Sequence, residues 1–132
     1  MTDDTIGIDV SKATLDVYRL SDGKMTSFNN DTAGFRHLAK FCNETTVIRV
    51  VYEATGAYHK GLERALGGHL SLVKVNPLQA RRFAQAQGVR AKTDAVDAKM
   101  LAVMGEAFGL VPMKPVSETT LHDSRLVEGA RR

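Results

Sequence analysis

Short runs of alternating apolar and polar positions fill the first part of the chain and predict strands. The apolar run at 6–10 predicts a buried strand, and the alternation of side chains puts Gly7 and Asp9 on one of its faces. Runs of strand-forming residues at 14–20 and 25–29 flank a polar turn containing Gly23. The first part of the chain therefore predicts three antiparallel strands joined by short connections.

Helical spacing and strands alternate through the rest of the chain. In chain order the pattern predicts a helix after Asn30-Asp31-Thr32, a strand over 47–52 that Glu53 ends, and a helix over 58–66 that Gly67-Gly68 stops. A strand over 70–75 follows, and then a helix from Pro77 to 87 capped by Asn76. The last predicted helix is capped by Thr93 or Asp94 and runs to about Phe108. The order of elements predicts an α/β fold with a mixed sheet, three antiparallel strands then parallel strands, and helices on both faces. In such a sheet the C-terminal ends of neighbouring parallel strands form a natural site.

Burial predictions follow from the same spacing. Cys42 shares a helical face with apolar residues, so we expect a core residue rather than a nucleophile. In the helix over 58–66 we expect Tyr58, Leu62, Ala65 and Leu66 to face inward. The four histidines, His37, His59, His69 and His122, are scattered, and each is expected at the surface.

Composition narrows the class of protein. A chain of 132 residues favours one domain, and a net charge of +3 is compatible with nucleic acid but not sufficient to indicate it. One cysteine excludes an internal disulfide and fits a reducing compartment. We expect a cytoplasmic protein without a membrane partner, because the acidic N-terminus is unlike a signal peptide and no apolar run is long enough to span a bilayer. Zinc-ligand spacing, a dinucleotide-binding glycine motif and a Walker loop are absent from the sequence.

Four acidic residues stand where the predicted elements could bring them together. Asp94 and Asp97 are three positions apart in the predicted last helix, where they would begin the apolar stripe that faces the sheet. Asp9 lies in a buried strand, and Glu53 ends a neighbouring one. Each also has a simpler interpretation: Asp9 as a turn cap, Glu53 as a surface acid at a strand end, and the helix aspartates as caps that complement the helix dipole.

Convergence of Asp9, Glu53, Asp94 and Asp97 would create a cluster of like charges that resists ionisation. Mg²⁺ prefers hard oxygen ligands and would remove that repulsion. Two such ions ~3.5–4 Å apart stabilise the attacking and leaving oxygens of a phosphodiester displacement. The sequence therefore predicts a magnesium centre in which the acids are ligands.

Basic residues surround these acids in the sequence. They are Lys12, Arg81, Arg82, Arg90 and Lys92, and we expect them to contact a phosphate backbone. The helix from Pro77 has no clean apolar stripe, which is typical either of a nucleic-acid contact or of a solvated surface helix.

Five motifs in fixed order carry a family resemblance. They are Gly7-Ile8-Asp9-Val10-Ser11-Lys12, Glu53-Ala54-Thr55-Gly56-Ala57-Tyr58, Val75-Asn76-Pro77, Arg82-Phe83-Ala84 and Ala91-Lys92-Thr93-Asp94-Ala95-Val96-Asp97-Ala98. Between about 5 and 108 the chain resembles the N-terminal domain of DEDD transposases, the recombinases of the one-hundred-and-ten insertion-sequence family, related to the Piv/MooV DNA invertases. The resemblance implies a RuvC-like, ribonuclease H-type fold. It also implies that the four acids are the DEDD tetrad that binds Mg²⁺, for which Mn²⁺ substitutes.

The resemblance implies further properties of the protein. It implies DNA cleavage and strand exchange, a structured guide RNA as partner, and a homo-oligomer. It also implies a second domain that carries a serine nucleophile. We therefore expect a catalytic domain at 1–109, the start of a helical connection at 110–132, and a chain that does not complete recombination alone.

Three alternatives remain open on the sequence. The first is a stand-alone nuclease that resolves Holliday junctions. The second is a sugar-kinase-like phosphotransferase, although the sequence lacks the later glycine-rich adenosine site that it would need. The third is a nucleic-acid-binding module without chemistry, which would use only the basic helix after Pro77.

Overall fold

The fold is built on one sheet, and the segments that the sequence predicts as strands form it. A computed structural model describes residues 3–54, 56–88 and 97–111. Its elements in chain order are β1 (Asp4–Val10), β2 (Thr14–Arg19), β3 (Met25–Asn29), α1 (Thr32–Cys42), β4 (Val47–Glu53), α2 (Lys60–Leu66), β5 (Leu72–Val75), α3 (Pro77–Ala86) and α4 (Ala98–Phe108).

The sheet has the strand order β3-β2-β1-β4-β5. Strands β1, β2 and β3 pair antiparallel, whereas β4 runs parallel to both β1 and β5. The predicted mixed sheet is therefore confirmed. Strand β1 is the third of the five strands in this order, so it is the central strand of the sheet.

Helices cover both faces of the sheet. On one face, Ile6 and Ile8 of β1 pack with Leu38 of α1 and Leu62 of α2. On the other face, residues of β4 and β5 pack with α3 and α4, and the fully buried side chains there include Val51 and Leu101. Gly7 and Asp9 alternate with Ile6 and Ile8, so they belong to the face covered by α3 and α4. Within the described residues, no helix is long and apolar enough to cross a membrane.

Two predicted helix starts and the predicted role of Cys42 are confirmed. Asp31 caps α1 by accepting a hydrogen bond from the Gly34 amide at 2.8 Å, and Asn76 caps α3 through the Leu78 amide. Cys42 is buried, and burial raises the pKa of its thiol to about 12. Its burial confirms the expected core position, and a raised pKa disfavours the thiolate form in which cysteine is nucleophilic.

The prediction for the second helix is wrong in its first turn. Helix α2 begins at Lys60, so Tyr58 lies in the preceding turn and is 49 % exposed. Ala65 is also exposed, and of the expected inner face only Leu62 and Leu66 are buried. His59 was expected at the surface but is buried, because it immediately precedes the helix with its ring 6.1 Å from that of Tyr52.

The predicted start of the last helix is also wrong. Asp97 has extended backbone angles, φ −74° and ψ 168°, and its side chain accepts a hydrogen bond from the Met100 amide. It is therefore the N-cap of α4, which begins at Ala98. The predicted caps, Thr93 and Asp94, lie outside the described residues. At the other end Phe108 is 59 % exposed instead of buried, with its ring edge-on to Phe83.

A buried arginine at the end of β2 gives the domain a pH-dependent contact. Arg19 donates to Asp22 and to Glu44, each at 2.8 Å, and its guanidinium lies 4.4 Å from the centre of the Phe41 ring. The hydrogen bond from Arg19 is the main reason that the pKa of Asp22 falls from 3.8 to about 2. Ionised Asp22 therefore stabilises the fold above about pH 4, and this stabilisation is lost as the pH falls through 2.

We expect Asp22→Asn to lower the free energy of unfolding at neutral pH, because Arg19 loses a charged acceptor. The difference between the two proteins should shrink as the pH falls from about 4 towards 2, since the native carboxyl is then neutral as well. Urea unfolding between pH 2 and pH 7 measures this difference. A difference that does not change with pH would contradict the interpretation.

Candidate metal centre

Two of the four predicted acids lie side by side at the ends of neighbouring parallel strands. The register of β1 and β4 pairs Gly7 with Val51 and Ile8 with Tyr52. One position further along both strands are Asp9 and Glu53, on the face that α3 and α4 cover. The fold therefore brings these two acids to one site, at the C-terminal ends of adjacent parallel strands.

Helix α4 lies directly over β1 on this face. A Cβ atom on Gly7 would be 2.0 Å from the Ala98 carbonyl oxygen and 2.8 Å from the Ala102 amide nitrogen. Only a residue without a side chain allows the first turn of α4 to come so close to the strand. Because Asp97 immediately precedes Ala98, this contact brings a third acid towards the end of β1 where Asp9 lies.

Burial and nearby negative charges oppose the ionisation of Asp9. The pKa of Asp9 is raised, first by burial and then by the negative charges of Asp16 and Asp97. An acid whose ionisation is opposed by its neighbours is typical of sites that hold a cation. Asp9 and Asp97 are therefore near neighbours electrostatically, although they are far apart in the sequence.

Asp16 is a fourth carboxylate of this region that sequence reasoning missed. It is the cross-strand partner of Asp9 in the β1–β2 hairpin, and it accepts a hydrogen bond from the Ser27 hydroxyl at 2.6 Å. The signal was available: the short connection between β1 and β2 fixes the register, and counting back from it pairs the two aspartates.

Glu53 is 6 % exposed, so the interpretation of this residue as a surface acid is wrong. The end of its strand is fixed, since Glu53 pairs with Val75 of β5 and the next amide, that of Ala54, donates to the Val75 carbonyl at 3.1 Å. Burying a carboxylate costs free energy unless a donor or a cation compensates.

Asp97 has a different environment from the two strand acids. Its side chain is exposed, and Oδ1 accepts the capping hydrogen bond from the Met100 amide at 2.8 Å. The expectation that Asp97 sits within the helix beside Asp94, facing the sheet, is therefore wrong. A carboxylate has acceptor capacity on both oxygens, so the cap is compatible with a second role for Asp97.

The chemistry of these acids fits a hard divalent cation. They offer carboxylate oxygens, which Mg²⁺ prefers, and a cation would offset the burial and the repulsion that together raise the pKa of Asp9. Among the residues that the structure describes, no three acidic, histidine or cysteine side chains are already grouped closely enough to hold an ion. Asp94 lies outside those residues, so its place in the tetrad stays a prediction.

Three of the five predicted basic residues lie in the part of the chain that the structure describes, and two lie outside it. Lys12 is exposed in the connection that follows β1, and Arg82 is exposed on α3, whereas Arg81 is half-buried on the same helix. Arg90 and Lys92 lie outside the described residues. Lys12 follows Asp9 by three positions, so its backbone lies close to that of Asp9.

Comparisons with known proteins agree on a family and a fold. Residues 6–128 match the sequence model of a DEDD transposase family described as "Transposase". The chain is 34 % identical over 130 residues to the pilin gene-inverting protein of Moraxella lacunata, and 33 % identical to that of Moraxella bovis. Each match covers 93 % of this chain and 40 % of the relative, so the chain spans about two fifths of the length of these relatives.

A solved structure has a similar fold. Thermus thermophilus RuvC, determined in complex with a Holliday junction substrate, superposes with a TM-score of 0.50 at 10 % sequence identity. The match covers 84 % of this chain and 99 % of the RuvC chain. The RuvC-like, ribonuclease H-type fold implied by the sequence motifs is confirmed.

Proposed function

The chain belongs to the DEDD transposase family, and from this premise we propose that it forms the metal-dependent DNA-cleaving domain of a transposase or site-specific recombinase. The observation that carries the proposal is the arrangement of three acids. Asp9 and Glu53 lie at the ends of adjacent parallel strands, and the pKa of Asp9 is raised by burial first and then by the charges of Asp16 and Asp97.

In the proposed site, Asp9, Glu53, Asp94 and Asp97 hold Mg²⁺, and Mn²⁺ substitutes for it. When bound, the metal neutralises charge on a scissile phosphate and activates the attacking oxygen. The protein's part is to hold its ligands in place. Strand pairing fixes the backbone at Asp9 and Glu53, and the contact between Gly7 and the first turn of α4 places Asp97.

DNA is the proposed substrate. The exposed Lys12 and Arg82, with Arg81, Arg90 and Lys92, would bind phosphates and orient a strand across the acids. Names of the relatives support this proposal, since both are gene-inverting proteins. A guide RNA, assembly into a homo-oligomer and completion of strand exchange by a second, serine-bearing domain are proposed on the family resemblance.

We also propose that the catalytic domain ends near residue 109. Gly109 ends α4 in the left-handed conformation, with φ 57°. The next residue, Leu110, accepts a hydrogen bond from Arg49 Nε at 2.9 Å, which ties the exit of the helix to β4. The left-handed end of α4 supports a domain boundary close to this point and a connection over 110–132, of which Leu110 still contacts the catalytic domain.

Two substitutions in the chain should separate metal binding from DNA binding. Asp94→Asn should weaken Mn²⁺ binding by about 10–100-fold or more, the range for disturbed metal sites. Its affinity for DNA, measured at the same salt concentration as that of the wild type, should be nearly unchanged. Arg82→Gln should do the reverse and reduce the salt dependence of DNA binding by about one phosphate contact. Calorimetric Mn²⁺ titration and DNA binding at several salt concentrations measure the two effects.

The matched control for Arg82→Gln is Arg36→Gln, which removes an exposed charge from α1 on the opposite face of the sheet. Unchanged Mn²⁺ titration in Asp94→Asn would overturn the metal centre and favour a binding module without chemistry. Cleavage of four-way junctions by the chain alone would favour a stand-alone resolving nuclease instead.

A further inference from the structure

Asn30 connects the chain segments that follow the two strand acids. Its side-chain amide Nδ2 donates to the Ser11 carbonyl at 2.8 Å and to the Tyr58 carbonyl at 3.0 Å. Ser11 comes two positions after Asp9, and Tyr58 comes five positions after Glu53. One side chain therefore joins the exit from β1 to the exit from β4.

The chemistry of these contacts fixes the orientation of the amide. Both partners are carbonyl oxygens, which only accept hydrogen bonds. The nitrogen of the Asn30 side chain is its donor atom, and it has two N–H bonds to give, one for each carbonyl. A carboxylate of the same shape at this position would bring oxygen against oxygen twice.

The backbone around Asn30 is held on both sides. Its own amide donates to the Ala13 carbonyl at 2.9 Å, and Asp31 caps α1. A Cβ on Gly34 would lie 1.7 Å from the Asn29 carbonyl oxygen, so the first turn of α1 presses against the end of β3. Because the backbone is anchored in this way, the Asn30 amide is presented to its partners with little freedom to move.

We propose that Asn30 is a positioning residue that sets the spacing between Asp9 and Glu53, an inference that rests on the proposed metal centre. The ladder between β1 and β4 pairs Ile8 with Tyr52, and the acids stand one position beyond this pair. Beyond this pair, the chain after β1 leads to β2 and the chain after β4 leads to α2. The Asn30 amide joins these two segments through the Ser11 and Tyr58 carbonyls, and in this way it would restrain the spacing of the strand ends.

Asn30→Asp tests the proposal, with Asn43→Asp as matched control. Asn43 is exposed at the C-cap of α1, where the same change adds the same charge away from the strand ends. We expect Asn30→Asp to weaken Mn²⁺ binding about tenfold, as loss of an outer support of a metal site does. The added negative charge favours a cation, so a weaker affinity would reflect lost geometry. Calorimetric titration well below the melting temperature measures the affinity of the folded chain.

The outcomes separate this inference from the proposed function. If the wild-type chain does not bind Mn²⁺, the metal centre itself is overturned. If the wild type binds and Asn30→Asp binds equally well, the metal centre stands and the positioning role is overturned. A purely structural residue would lower the melting temperature but leave the affinity of the folded chain unchanged.

Asn30→Ala keeps the proposal testable if the aspartate variant does not fold. It removes both hydrogen bonds without placing a carboxylate against the carbonyls. We expect a severalfold loss of Mn²⁺ affinity and a retained circular dichroism spectrum. Wild-type affinity in a folded Asn30→Ala chain would overturn the positioning role.

Discussion

Asp9→Asn should abolish metal-dependent DNA cleavage, with a rate loss of at least about 10³-fold, the upper end of the loss for a single group that stabilises transition-state charge. The amide keeps the size of the side chain but removes the charge that attracts the cation. The measurement is DNA cleavage with Mg²⁺, by the chain or by a longer protein that contains it. Retained cleavage in the variant would contradict the proposed centre.

The same substitution should stabilise the metal-free protein. The pKa of Asp9 is raised, so ionised Asp9 opposes folding, and this cost appears as the pH rises through the raised value. Asparagine has no such charge, so the melting temperature at neutral pH should rise. Added Mg²⁺ should raise the melting temperature of the wild type but not that of Asp9→Asn.

Asp16→Asn is the matched control for Asp9→Asn. Asp16 also opposes the ionisation of Asp9, but it is exposed and is not a proposed ligand. Its replacement should relieve part of the repulsion and leave cleavage near the wild-type rate. Equal loss of cleavage in the two variants would show that charge density, and not the place of Asp9, is what matters.

Gly7→Ala should destabilise the fold by about 3 kcal/mol or more, at or above the upper end of the usual cost of overpacking. The new methyl group would meet the Ala98 carbonyl oxygen at 2.0 Å and the Ala102 nitrogen at 2.8 Å. Both are backbone atoms, which cannot swing aside as a side chain does. Helix α4 must therefore move away from β1, and Asp97 moves with it.

Urea unfolding measures this loss, and Mn²⁺ titration of the folded fraction reports the displacement of Asp97. Gly68→Ala is the control, because a Cβ there meets nothing within 4 Å and the change should stay within about 0.5 kcal/mol. Wild-type stability in Gly7→Ala would show that α4 is not held against β1 as described.

Local signals in the sequence were sufficient for much of the fold. The caps at Asp31 and Asn76 act within three residues of themselves, and the strands of the hairpin are adjacent in the chain. The start of α4 was harder, because Thr93, Asp94 and Asp97 are all good caps and spacing alone does not rank them. Only the extended backbone of Asp97 decides between them.

Contacts between distant segments explain what the sequence did not reveal about the site. Asp9 and Glu53 were predicted together because parallel strands align their ends. The approach of α4 to Gly7 depends on packing across the sheet, and no neighbour of Gly7 in the chain signals it. The burial of His59 likewise depends on the Tyr52 ring, seven positions earlier in the chain.

Asp9 and Glu53 lie on strands of the sheet, whereas Asp97 lies at the start of a helix, and these two kinds of element differ in how often they open. Asp9 and Glu53 belong to the innermost strands, which separate only when the domain as a whole unfolds. Asp97 depends on a single terminal turn, and helix ends open far more often than central strands. In the proposed metal centre, fraying of that turn would release the Asp97 carboxylate while Asp9 and Glu53 remain fixed, so an ion could enter or leave without any disruption of the sheet.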